Sequence, residues 1–189
     1  MTAEKDAVAT VAGLMALAAR TAPKGKGQDS ISIRVLTKTE IKKLVAAMKS
    51  YGSSREHYRF FLRDAANVEA SDACILIGAT GRDAAGINCG ACGYAGCTEF
   101  LKAAQKAKTK KSDLPYPGPN CAIKMADLGI AVGSAAKTAQ IHNADNRIMF
   151  SAGTIAIALG LLGKDCTVAY AIPLSATGKN IYFDRVWPK

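Results

Sequence analysis

Four cysteines decide what this chain can fold around. Cys89, Cys92 and Cys97 follow one another as C-x2-C-x4-C, and Cys121 stands alone after twenty-three further residues. Gly90, Gly93 and Gly96 sit beside the first three. Such glycines let the backbone close tightly and turn its N–H groups inward, towards whatever the thiolates hold. Pro115, Pro117, Gly118 and Pro119 stiffen the loop that delivers Cys121. Four thiolates at the corners of a compact cage are what an iron–sulfur cluster requires. Tetrahedral zinc takes the same donors, but zinc ribbons arrange them as two C-x2-4-C pairs. Here three are clustered and one is remote, so the spacing favours a cuboidal [4Fe–4S] cluster, with zinc as the structural alternative.

Cys74 and Cys166 lie within apolar runs and read as buried structural thiols. Six cysteines in an exported chain would instead signal disulfides. The apolar stretch 7–19 does carry a small-residue pattern at 16–18, but Glu4, Lys5 and Asp6 precede it. A secretory leader opens with net positive charge. The chain is therefore expected in the cytoplasm, where thiols stay reduced.

With 189 residues the chain makes one domain, residues 1–189, with 81–121 as an inserted cluster-binding segment. The longest apolar run, 148–162, holds Gly153 and Gly160 and falls short of the roughly 18 residues of a membrane span. Net charge is +10, much of it in Lys102, Lys106, Lys108, Lys110 and Lys111. Charge runs usually mark a solvated helix face. The sharper reading is a docking patch for an acidic electron carrier. The run lacks interleaved aromatics and no helix–turn–helix or RNA-binding motif accompanies it, which argues against nucleic acid.

Periodicity predicts a helix over 6–20, a short strand through Ile31, Ile33 and Val35, and a helix opened by a Thr37–Glu40 capping box and closed by Gly52. A second capping box, Ser53–Glu56, predicts the next helix. The branched run 73–78 reads as a central strand, 98–111 and 124–140 as helices, 147–162 as a helix buried on all sides with N-cap candidates at 143–146, and 166–173 as a second core strand. Gly129 and Gly133 mark a helix surface that another backbone can approach. This order of elements is that of a mixed α/β layered fold.

The block from Cys89 to Cys97 resembles the four-cysteine domain of corrinoid iron–sulfur proteins and of ferredoxin-like subunits of electron-transport complexes. Around it, Ala19-Arg20-Thr21-Ala22-Pro23-Lys24, Asp145-Asn146-Arg147-Ile148-Met149 and the stretch from Pro173 to Arg185 are similar to a family of ferredoxin-domain proteins of anaerobic bacteria and archaea. More distantly, both chain ends resemble flavin nitroreductases, α/β homodimers that bind FMN at the subunit interface. That resemblance implies a nitroreductase-like layered core, a homodimer, and an FMN phosphate held by Arg20, Lys24, Lys179 and Arg185. Ala22 stands where a hydroxyl residue is usual.

Gly81 and Gly86 have the glycine spacing of a P-loop, but Ile87 and Asn88 replace its Lys and Ser/Thr. No dinucleotide fingerprint is present, and His57 and His142 lack partner motifs, so both read as surface or capping residues. The expected function is iron–sulfur redox chemistry, linked to a flavin or an external carrier. A cluster that senses oxygen or iron, or one that only staples the insert, is the rival reading.

Overall fold

A computed structural model describes residues 2–108 and 115–183. Its elements run α1 (Ala3–Thr21), β1 (Ile31–Val35), α2 (Lys38–Ser53), α3 (Phe60–Glu69), β2 (Ala73–Ala79), α4 (Cys97–Lys108), α5 (Ala122–Ile141), β3 (Asp145–Asn146), α6 (Phe150–Ala158) and β4 (Val168–Ser175). The strands form one antiparallel sheet in the order β1-β2-β4-β3. Successive side chains of a strand point to opposite faces, and both faces here are covered. Ile75 and Ile77 of β2, with Ile172 and Leu174 of β4, meet α1 and α5 on one side. Cys74 and Leu76, with Ala169 and Ala171, meet α2, α3 and α6 on the other. That double burial explains why β2 reads as an unbroken apolar run. The result is a mixed α/β layered fold, as the order of elements predicts.

Several local expectations need correction. The Thr37–Glu40 capping box is present, but α2 continues through Gly52, which is buried in its last turn. The Ser53–Glu56 box does not form. Ser53 is still helical, the Ser54 hydroxyl bonds back to Tyr51 O at 3.1 Å, and α3 starts only at Phe60 after a short 3-10 turn. The all-round buried helix shrinks to the nine residues of α6. Met149, which precedes it, exchanges two backbone hydrogen bonds with Ala171 of β4 (2.8 and 3.0 Å), holding the chain extended there, and Gly160 ends the following turn at φ 68°. The N-cap is therefore Met149, with no side-chain cap, rather than a residue of 143–146. The second core strand begins at Val168, two residues past Cys166.

The two ends of the sheet have different neighbours. Ile31, Ala79 and Val168 align at one end, and Ala73, Leu174 and the β3 partner Ser175 lie at the other. The cysteine-bearing segment leaves the first end after β2 and returns to it at α5, where Cys121 N donates to Gly81 O at 2.7 Å. The segment has a small apolar cluster of its own, built from Ala85, Phe100, Ala104 and Cys121.

Candidate metal centre

Two of the four cysteines stand at helix N-termini: α4 begins at Cys97, and Cys121 is the N-cap of α5. The first turn of a helix presents unpaired N–H groups and the positive end of the macrodipole, which favours thiolate and any anionic group the thiolate holds. Asn88 adopts φ 50°, and with that backbone it clasps Cys97 from both sides. Its N–H reaches Cys97 Sγ at 3.4 Å, and its Oδ1 accepts from Cys97 N at 2.8 Å. Gly90 and Gly93 take φ 70° and 82°, the conformation only glycine adopts freely, and Gly93 N closes the turn onto Gly90 O at 2.9 Å. All four thiols are free; Cys89 is exposed, Cys92 and Cys97 are half-buried and Cys121 is buried. Cys92 packs on the apolar cluster that contains Cys121. Among the described residues, no three His, Cys, Asp or Glu side chains converge closely enough to hold a metal ion. The thiols thus occupy one segment without a closed cage. Their donor chemistry, the glycine turns and the inward N–H of Asn88 fit an iron–sulfur cluster.

Cys121 is the thiol most firmly tied to the core. Buried Thr167, one residue before β4, accepts from Gly81 N at 2.9 Å and donates to Asn120 Oδ1 at 2.6 Å. A Cβ on Gly81 would crowd Asn120 Oδ1 and stand 2.8 Å from both Met125 Cε and Thr167 Oγ1, so a larger residue would push the side chains of this brace apart. Gly81 therefore serves close packing at this point. Thr167→Val, which keeps the shape but loses both bonds, should cost about 1–3 kcal/mol, because Gly81 N–H is left unpaired in the interior. Urea unfolding of the two proteins measures it; equal midpoints would show that the brace contributes nothing.

Cys74 and Cys166 are buried, as their apolar settings predict. Burial pushes the Cys74 thiol up to about 12 and the Cys166 thiol up to about 11. Both stay neutral, unlike the thiolate that metals require.

Of the four expected phosphate contacts, the three among the described residues fall in two places. Arg20, at the end of α1, pairs with Asp29 and donates to Ile31 O at 2.8 Å. Lys24 folds back onto the carbonyls of Ala19, at 3.0 Å, and Arg20, satisfying the C-terminus of α1. Lys179 follows β4 at the other end of the sheet, where Ala176 N bonds Asp72 Oδ2 (3.2 Å) and Asn180 bonds Asp145 (3.0 Å). The seven steps from Val168 to Ser175 span about 24 Å of strand. The expected meeting of the two chain ends therefore does not occur between Arg20 and Lys179 of one chain. Arg185, Lys110 and Lys111 lie outside the described residues. Lys102, Lys106 and Lys108 are exposed on α4, and His57 and His142 are exposed as well.

Sequence reasoning passed over Asn88 and Thr167. The first carried a usable signal, since asparagine is one of the few non-glycine residues that tolerate positive φ. The second carried none, because its partners lie 47 and 86 residues away.

The profile of a family described as "Uncharacterized protein containing a ferredoxin domain" matches residues 117–185, which include Cys121. A second profile, "Putative Fe-S cluster", matches 85–113, which include Cys89, Cys92 and Cys97. Among solved structures, a nitroreductase with bound FMN from Desulfitobacterium hafniense superposes with a TM-score of 0.56 at 14% identity, covering 90% of this chain and 78% of that one. Nitroreductase A from Vibrio parahaemolyticus gives 0.53 at 12% identity over 100% of this chain. The NADPH:FMN oxidoreductase of Vibrio harveyi gives 0.52 at 14% identity, again over 100% of this chain. The chain spans just under two-thirds, 64%, of the length of either Vibrio enzyme. These likenesses establish a nitroreductase fold, and the cysteine segment makes it the scaffold of an iron–sulfur protein. An uncharacterized protein of Archaeoglobus fulgidus is 43% identical over 182 residues, 96% of this chain and 94% of its own. The chain belongs to the family of ferredoxin-domain proteins described by the first profile.

Proposed function

We propose that Cys89, Cys92, Cys97 and Cys121 hold one [4Fe–4S] cluster, and that the chain carries electrons between a protein partner and a flavin. The observation that carries this reading is the placing of two helix N-termini at Cys97 and Cys121, in the segment matched by the iron–sulfur profile or bordering it. A cluster supplies one-electron transfer and a flavin exchanges one or two electrons, so together they join a one-electron carrier to a two-electron substrate. The chain's own part is to orient the ligands, aim N–H groups at the sulfurs, and exclude water from Cys121. Exposed Lys102 and Lys106, on the helix that starts at Cys97, offer an acidic electron carrier a docking face beside the cluster.

The flavin is FMN, with a phosphate bound by Arg20, Lys24, Lys179 and Arg185. Since Arg20 and Lys179 lie at opposite ends of one sheet, the shared site belongs to a homodimer in which each copy contributes one end. A set of four cysteines that must stay reduced to act as thiolate ligands supports a cytoplasmic setting.

Anaerobic purification with iron, sulfide and flavin analysis tests the reading. About four iron and four sulfide per chain are expected, with visible absorbance bleached by dithionite. Stoichiometric zinc without sulfide would overturn the cluster. FMN should bind saturably at tens of micromolar or below to a sedimenting dimer. Lys24→Ala with Arg185→Ala should weaken it by roughly 1.5–3 kcal/mol per lost contact. No saturable binding leaves an iron–sulfur protein without its flavin.

A further inference from the structure

A cleft of about 660 Å3 opens at the sheet end where β2 finishes and β4 starts, on the side of the cysteine segment. Small-molecule sites occupy about 300–1,000 Å3, so its size suits a metabolite. Three elements distant in sequence bring cations to it: Arg82 from the turn after β2, Lys108 from the end of α4, and Lys164 from the turn before β4. Asp83 and Asp165 stand among them, and Thr80 and Thr167 add hydroxyls. The charges are of both signs with the cations in excess. Among the described residues, the enclosed Arg82 Nε has no hydrogen-bond partner.

We propose that this cleft binds a small phosphorylated ligand. The phosphate meets Arg82, Lys108 and Lys164, whose charge-assisted hydrogen bonds match its several acceptor oxygens. Asp83 and Asp165 accept from hydroxyl or amino groups on the rest of the molecule. A bare hydrophobic ligand has nothing here to recognise. The lining shares no residue with those assigned to the FMN phosphate: Lys179 lies at the opposite end of the sheet, and Arg20, at the same end, borders a separate depression with Gly163. It sits next to the fourth cysteine: Gly81, between lining residues Thr80 and Arg82, accepts the Cys121 N–H. A bound ligand would therefore lie within one residue of the segment that anchors Cys121. The proposal stands whether or not a cluster is loaded.

The test is calorimetric titration of the purified full chain with pyrophosphate at fixed moderate salt. Saturable one-site binding is expected, weakened at least tenfold by Arg82→Gln with Lys164→Gln. It should be unchanged by Lys42→Gln with Lys43→Gln, exposed cations on α2 remote from the cleft. Lys164 is itself exposed, so Lys164→Gln alone keeps the fold and should still weaken binding severalfold. Absence of saturable heat would overturn the proposal. So would equal weakening in the α2 variant, which would reveal attraction to net positive charge only.

Discussion

Cys121→Ala is expected to leave the protein folded but without cluster absorbance, iron or sulfide, while Cys74→Ala and Cys166→Ala retain all three. The fold survives because Cys121 belongs to the small cluster with Ala85, Phe100 and Ala104, and to neither apolar cluster flanking the sheet. Alanine at this N-cap keeps the backbone bond to Gly81 O. Three remaining thiolates leave one iron of the cage unligated. Cys74 is fully buried, its thiol pushed up to about 12, and its truncation costs packing, not coordination. Iron and sulfide analysis of the three variants, with circular dichroism as the folding control, decides the matter. Full iron content in Cys121→Ala would move the fourth ligand elsewhere.

Gly153→Ala should be among the most damaging single changes in the chain. A Cβ at Gly153 would overlap the Ala169 carbonyl oxygen and come within 2.7 Å of Tyr170 Cα. The obstacle is backbone at the centre of the sheet, which cannot swing away as a side chain does. Overpacking costs typically 1–3 kcal/mol, so about 3 kcal/mol or more is expected here. For a chain of this size that lowers the melting temperature by about 6–12 °C. Gly129→Ala is the control. Nothing lies within 4 Å of its added Cβ, so the gain in helix propensity should make it neutral or slightly stabilising. Equal melting temperatures for the two variants would mean that α6 does not rest on β4 as described. Gly153 faces its own chain's sheet, unlike Gly129, whose side of α5 is open.

Legibility in the sequence followed the range of the interactions involved. β1, β2, α2 and α5 could be read because local periodicity and one capping box decide them, and their burial agrees with that pattern. The shortened α6 could not. Its start depends on Met149 pairing with Ala171, a contact across 22 residues that no local pattern announces. The cysteine spacing was visible, and so were the glycines around it. What escaped was the support: Thr167 reaching Gly81 and Asn120, and the cleft assembled from Arg82, Lys108 and Lys164. Basic residues at the two chain ends looked like one group when read by resemblance. Sheet register separates Arg20 from Lys179, because β4 runs the full length of the sheet between them.

The attachment of Cys121 has a consequence for the order of assembly. In the proposed cluster site, one corner would be built into the scaffold, through Gly81 and the brace at Thr167, whereas Cys89, Cys92 and Cys97 are carried on a glycine-turned segment outside the two main cores. With that arrangement folding would finish before iron arrives, and loading would be a late closure of the segment onto a fixed post. Damage by oxygen would reverse only that last step. The emptied protein would keep its core and could be recharged, so its working life need not be limited by the life of any one cluster.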